Sequence, residues 1–285
     1  MSKTIIITGS SDGIGAAAAR RLSAAGHSVV IVGRSSDKTA AIARELGSDH
    51  FLADFGNLDE VRRLADDIAQ RYSRIDVLAN NAGGVFGDAR RTVDGFEKTF
   101  QVNHLAPFLL TNLLMPLLTA SRASVIQTSS DAARISGQLV IDDLNNDAGR
   151  SPVRAYGDAK LANILFTSEL QRRYGRQGIA AAAFHPGTVA TNFASDTASR
   201  SMRLVYGNPL VRRLIASPER AADQLVWLAA DPSGAGWRAG EYYEKGRVAT
   251  RVNPQTRSVE LARELWDRSA QMVGISDAHP PQMRQ

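Results

Sequence analysis

Six short apolar runs mark the first 185 residues, and longer amphipathic stretches separate them. The runs are TIIIT (4–8), SVVIV (28–32), HFLA (50–53), IDVLAN (75–80), ASVIQTS (123–129) and IAAAAFH (179–185). They are almost continuously hydrophobic rather than alternating, which is the pattern of strands covered on both faces. Helix-period patterns occupy 14–25, 37–46, 57–72, 96–120 and 153–175. Strands alternating with helices imply right-handed crossovers, and so an α/β chain with a doubly wound parallel sheet. A weaker unit follows, with helix 218–230, strand 240–244 and helix 256–272. Residues 1–275 read as one domain and 276–285 as a flexible tail.

Composition narrows the chemistry. The 285 residues include no Cys, which excludes disulfides, a thiolate nucleophile and Cys-ligated metal. No His spacing suggests metal ligation either, so no metal is expected. A cysteine-free chain suits a reducing, cytoplasmic setting. The apolar run near the N-terminus is too short for a signal peptide or a membrane span, and no later stretch is long enough. The net charge of +5 is spread among acids, and Arg pairs such as Arg62-Arg63 read as solvated helix faces rather than a nucleic-acid stripe. The expected partner is a small molecule, with a homo-oligomer left open.

The first strand runs into TGSSDGIG and then an alanine-rich helix. A glycine-rich strand-to-helix turn lets backbone N–H groups face an anionic phosphate. Dinucleotide contacts are therefore expected along Gly9, Ser11, Asp12, Gly13, Ile14 and Gly15. The second strand ends in Gly33-Arg34, where an acid would bind ribose hydroxyls and repel a 2′-phosphate. A guanidinium there favours NADP(H), with NAD(H) still possible. Asp54, beside Phe55, ends the third strand where a carboxylate can accept from an adenine amino group. Asn81, Ala82 and Gly83 follow the fourth strand and let a cofactor approach closely.

At the same sheet edge, Ser129 and Ser130 end the fifth strand and HPGTVATN follows the sixth. Asn103 lies in FQVNHLAPFLLTNLL, and Tyr156 and Lys160 sit one helical turn apart in AYGDAKLANILF. With TGSSDGIG, NNAG, TSS and the late VNPQTRSVELARELWD, these segments resemble the short-chain dehydrogenase/reductase family, most closely its retinol dehydrogenase-like branch. The resemblance spans almost the whole chain. It implies a catalytic tetrad of Asn103, Ser130, Tyr156 and Lys160. It also implies nicotinamide contacts from Pro186, Gly187, Thr188 and Thr191. Hydride transfer to a carbonyl builds charge on oxygen, which must gain a proton as it forms. Tyr156 is expected to supply that proton while Ser130 holds the oxygen. A free tyrosine has a pKa of about 10, so work near neutrality needs about 4 kcal/mol of help. Lys160 is placed to give it.

Pro107 has no N–H, so the Asn103 carbonyl lacks its usual helical donor and could hold a water leading from Lys160 to solvent. Asp12 stands where NADP-preferring relatives often carry a base, which leaves Arg34 as the main support for NADP(H). Ser130 and Tyr156 are 26 positions apart, and the intervening insertion is expected beside the pocket mouth. Its Asp142, Asp143 and Asp147 read as a solvated loop rather than a cation site. His185 reads as satisfying backbone rather than as catalytic. A lid is expected over 190–216, where Phe193, Met202, Leu204, Val205 and Tyr206 either line an apolar pocket or pack onto the domain. Val85 and Phe86 are expected to face the same pocket. The expected activity is NADP(H)-dependent reduction or oxidation of a lipophilic aldehyde, ketone or alcohol. The alternative is a catalytically silent NADP(H)-binding sensor or partner-binding module on the same fold.

Overall fold

Ile5 and Ile7 pack into one apolar layer and Ile6 into another, with all three fully buried. This is the outcome of a continuously apolar strand: both faces of its sheet are covered. The computed structural model describes residues 2–86, 91–187, 217–231 and 236–275. The strands are β1 (Thr4–Thr8), β2 (Ser28–Gly33), β3 (His50–Leu52), β4 (Val77–Asn80), β5 (Ser124–Thr128), β6 (Ala180–His185), β7 (Tyr242–Glu244) and β8 (Arg247–Val248). They form one sheet in the order β3-β2-β1-β4-β5-β6-β7-β8. Every neighbouring pair is parallel except β7 with β8.

One face carries α1 (Gly13–Ala24), α2 (Ser36–Leu46) and, late in the chain, α9 (Pro218–Ala221) and α10 (Asp223–Ala230). The other carries α3 (Leu58–Arg71), the run from 98 to 121, α8 (Pro152–Tyr174) and the last helix α11 (Val259–Met272). The strand order reverses between β1 and β4, so their C-terminal ends open a crevice at the switch point.

The helix expected over 96–120 is broken. It comprises α4 (Lys98–Phe100), a π-helical turn (Gln101–Leu105), α5 (Ala106–Leu113) and α6 (Met115–Ser121), with a bend of 64° before α6. Pro107 and Pro116 are the cause, because each removes a helical donor. Just before Pro107 the turn widens, and the Ala106 N–H reaches back five residues to the Gln101 carbonyl. Among the described residues no single helix is long and apolar enough to cross a membrane.

Ser151 caps α8 and Pro152 occupies its first turn, a favoured start for a helix. α8 is buried on most sides, since β5, β6 and α11 all pack against it. Between β5 and α8, the insertion forms the short helix α7 (Ala132–Ile135) and then runs close against the start of α8. A Cβ on Gly157 would lie 2.7 Å from the Gly137 nitrogen, so only glycine permits this approach. The expected strand 240–244 shortens to β7 and turns into β8, which the apolar pattern does not signal. Lys245 and Gly246 make that turn with φ of 52° and 72°, the geometry of a two-residue hairpin. The expected lid and tail lie outside the described residues.

Candidate active site

Thr8 ends β1, and its hydroxyl accepts the N–H groups of Asn81 and Ala82 at 3.0 Å each. In return Asn81 Nδ2 donates to the Thr8 carbonyl at 2.9 Å. The loop after β4 is thus fastened to the loop after β1 at the switch point. Gly9 has a φ of 65°, and a Cβ there would lie 2.8 Å from Ala82 Cα, so a side chain is excluded twice over. Gly15, in the first turn of α1, is crowded by the Gly9 carbonyl and by Asn81. Bare peptide therefore floors the crevice, as close approach of a pyrophosphate requires.

At one end, Gly33 closes β2 against Ser11, whose Cβ would sit 2.9 Å from a Cβ added at Gly33. No acid can stand at that position, and Arg34 comes next on the exposed rim. Lys38 on α2 reaches over the crevice to Asp12, with Nζ 2.8 Å from Oδ2. The other oxygen of Asp12 accepts the Gly13 N–H at 2.8 Å. Asp54, beyond β3, uses Oδ1 to accept the Gly56 N–H at 2.8 Å.

At the other end, Ser130, Tyr156 and Lys160 line the same continuous cleft, whose volume is about 780 Å³. Lys160 is 1% exposed, and its Nζ donates to the Thr128 carbonyl at 3.0 Å. Burial pushes its pKa down to about 7. The ammonium lies 5.5 Å from the centre of the Tyr156 ring. Ser130 Oγ accepts the Ala132 N–H at 3.2 Å, which leaves its own hydrogen to donate.

Asn103 stands behind this wall. Its Nδ2 donates to the carbonyls of Gly84 and Thr99 at 2.8 Å, and its Oδ1 accepts the Gly84 N–H at 3.1 Å. The side chain therefore shapes the loop after β4.

The family model for short chain dehydrogenase matches residues 3–201 of this chain. The chain belongs to that family. Its retinol dehydrogenase-like character is equally plain: the chain is 35% identical to "Retinol dehydrogenase 13" of Homo sapiens, over 96% of this chain and 85% of the human one. It is 43% identical to "Putative daunorubicin C-13 ketoreductase DnrU" of Streptomyces sp. (strain C5), over 95% and 93% of the two chains. A crystal structure of an uncharacterized protein from Mycobacterium paratuberculosis superposes with a TM-score of 0.76 at 32% identity, covering 96% of this chain and 94% of that one. The protein is thus an NAD(P)-dependent oxidoreductase.

Within this short-chain dehydrogenase the cleft gathers most residues picked from the sequence. Gly9, Ser11, Asp12, Gly13 and Ile14 line it from β1, and Arg34, Asp54 and Phe55 from the neighbouring strand ends. Asn81, Ala82, Gly83, Val85 and Phe86 line it from the loop after β4, and Pro186 and Gly187 from β6. Gly15 and Asn103 support the wall from behind. Thr188, Thr191, Phe193 and the other lid residues lie outside the described residues.

His185 Nδ1 accepts the Asp131 N–H at 3.2 Å, and burial lowers its pKa, in keeping with a neutral, backbone-satisfying ring. In the insertion, Asp143 pairs with Arg150 at 3.3 Å and Asp147 with Arg91 at 2.6 Å. Among the described residues no group of three His, Asp or Glu could hold a metal ion.

Sequence reasoning missed Lys38, which the helical spacing from Arg34 could have flagged. It also missed the apolar lip of Ile135 and Val153, which line the cleft while 70% and 51% exposed. These two are 18 positions apart and reach one cleft only because the insertion folds back on α8.

Proposed function

We propose that this short-chain dehydrogenase interconverts a lipophilic ketone or aldehyde with its alcohol, using NADP(H). One observation carries the reading: a single cleft joins Arg34 and Lys38 at one end to Ser130, Tyr156 and Lys160 at the other. The bare glycine floor between them fits a dinucleotide. When bound, that group supplies or accepts the hydride.

The chain's own residues would handle the proton. Tyr156 gives its hydroxyl proton to the carbonyl oxygen, and the Ser130 hydroxyl donates a hydrogen bond to the same atom. The charge of Lys160 favours the phenolate, and its N–H groups not on Thr128 are available to ribose hydroxyls. With a pKa of about 7, Lys160 can exchange a proton near neutrality. The Asn103 carbonyl, which Pro107 cannot serve, is the proposed next station toward solvent.

For the cofactor, two cations at the rim support a 2′-phosphate over a free ribose hydroxyl. Asp12, paired with Lys38, offsets part of that charge, so Arg34 is the main support. For the substrate, the apolar lip of Ile135 and Val153 supports a lipophilic skeleton, in line with the ketoreductase and retinol dehydrogenase names of the two relatives. The cysteine-free composition supports a cytoplasmic setting, which cell fractionation would check.

The test is initial-rate turnover of retinaldehyde, polycyclic aromatic ketones and long-chain aldehydes with NADPH and with NADH. Turnover with NADPH that vanishes in Tyr156→Phe supports the proposal. Tight dinucleotide binding with no turnover of any substrate would favour the silent module instead.

A further inference from the structure

Three consecutive residues at the end of β5 each address a different atom of the site. The Thr128 carbonyl receives Lys160 Nζ at 3.0 Å. The Ser129 hydroxyl donates to the main-chain carbonyl of Lys160 at 2.7 Å. Ser130 follows, with its hydroxyl on the cleft. Ser129 is 1% exposed, and its own N–H continues the ladder to the Phe184 carbonyl at 2.8 Å.

A serine hydroxyl has one hydrogen, and here Lys160 takes it. The result is a direct tie from the Ser129 hydroxyl, at the end of β5, to the main chain of α8.

We propose that Ser129 is a positioning residue that sets the separation between Ser130 on its strand and Tyr156 and Lys160 on α8. The proposal rests on the reading of the site given above. A carbonyl inside a helix is already provided for by its own helical N–H, so helix formation does not require the Ser129 bond. What the bond adds is a fixed height of α8 against β5, one residue from Ser130 and one turn from Tyr156. Both hydroxyls must reach one substrate oxygen, and such alignment is steep: a misplacement of about 1 Å can lower a rate by about 100-fold.

The experiment measures kcat, KM, dinucleotide Kd and melting temperature for Ser129→Ala and Ser129→Cys, alone and in a Ser130→Ala background. Ser129→Ala is expected to lower kcat by about 10- to 100-fold and Ser129→Cys, whose thiol is a weaker donor, by about 3- to 10-fold, with dinucleotide Kd within about twofold. With Ser130 already gone, Ser129→Ala should have little further effect. A kcat loss that persists in full in the Ser130→Ala background would mark a purely structural role and overturn the proposal. So would wild-type kcat in both single variants while Tyr156→Phe is inactive. An active Tyr156→Phe would instead overturn the reading of the site itself. If Ser129→Ala does not fold, Ser129→Cys carries the test.

Discussion

Lys160 Nζ lies 3.0 Å from the Thr128 carbonyl, and the same oxygen accepts the side-chain amide of Asn163 at 3.3 Å. A strand end thus holds the ammonium of a lysine that burial has brought down to a pKa of about 7. The folded value is below the unfolded one, so between pH 7 and about 10.5 the unfolded chain binds more protons and stability rises with pH. Lys160→Met lacks this term. Wild type should therefore gain about 2 kcal/mol relative to Lys160→Met between pH 7 and 9, read by urea unfolding. The variant should also lose at least about 100-fold in kcat. Parallel pH profiles would show that Lys160 is not desolvated as described.

Arg34 and Lys38 bear on cofactor choice. Each exposed contact to a phosphate contributes on the order of 1 kcal/mol, so Lys38→Ala and Arg34→Ala should each raise KM for NADPH by about 5- to 10-fold. KM for NADH should stay within about twofold. Equal effects on both dinucleotides would remove the 2′-phosphate from the assignment.

His104 is fully buried, and burial lowers its pKa to about 4. Asn163 Nδ2 is committed to Thr128, so Asn163 Oδ1 accepts from His104 Nδ1 at 3.3 Å, and Nε2 accepts from Ser269 at 3.0 Å. A histidine buried neutral stabilises the fold fully above pH 6.5 and progressively less as pH falls toward 4. Wild type should lose about 2 kcal/mol more than His104→Gln between pH 7 and 5. Equal acid sensitivity of the two proteins would count against a neutral His104.

A Cβ on Gly83 would crowd Asn103 Oδ1 and come within 3.1 Å of Lys160 Nζ. Both neighbours are fixed by buried hydrogen bonds and cannot give way cheaply. Gly83→Ala should cost about 1–3 kcal/mol of stability and most of the activity. A fully active Gly83→Ala enzyme would mean that Lys160 has room to move.

Pro107→Ala introduces an N–H four residues beyond the Asn103 carbonyl. If that carbonyl serves proton transfer, kcat should fall about 3- to 10-fold with dinucleotide KM unchanged. A crystal structure of the wild type should show a water on this oxygen. Its absence, with an unaltered kcat in Pro107→Ala, would end the idea.

The sheet was legible because parallel strands are buried on both faces, and such burial demands the apolar runs seen at 4–8 and 28–32. The glycine turn was legible for a similar reason: at Gly9 neither φ nor space admits a side chain. Tyr156 and Lys160 share a helix face by local geometry alone. Less was visible wherever a contact joins distant segments. The broken helix around Pro107, the Lys245-Gly246 hairpin and the arrival of Ile135 and Val153 at one cleft all depend on neighbours that no local pattern names.

The chain by itself therefore determined the layered α/β architecture, the phosphate-facing turn and the residue types of the site, because periodicity and steric exclusion act locally. Only the tertiary structure decided how those residues are held. It paired Asp12 with Lys38, turned the Asn103 amide into a loop clamp, desolvated Lys160, and tied Ser129 to the main chain of α8. Hydrogen bonds and burial between residues tens to hundreds of positions apart exist only once the sheet has closed.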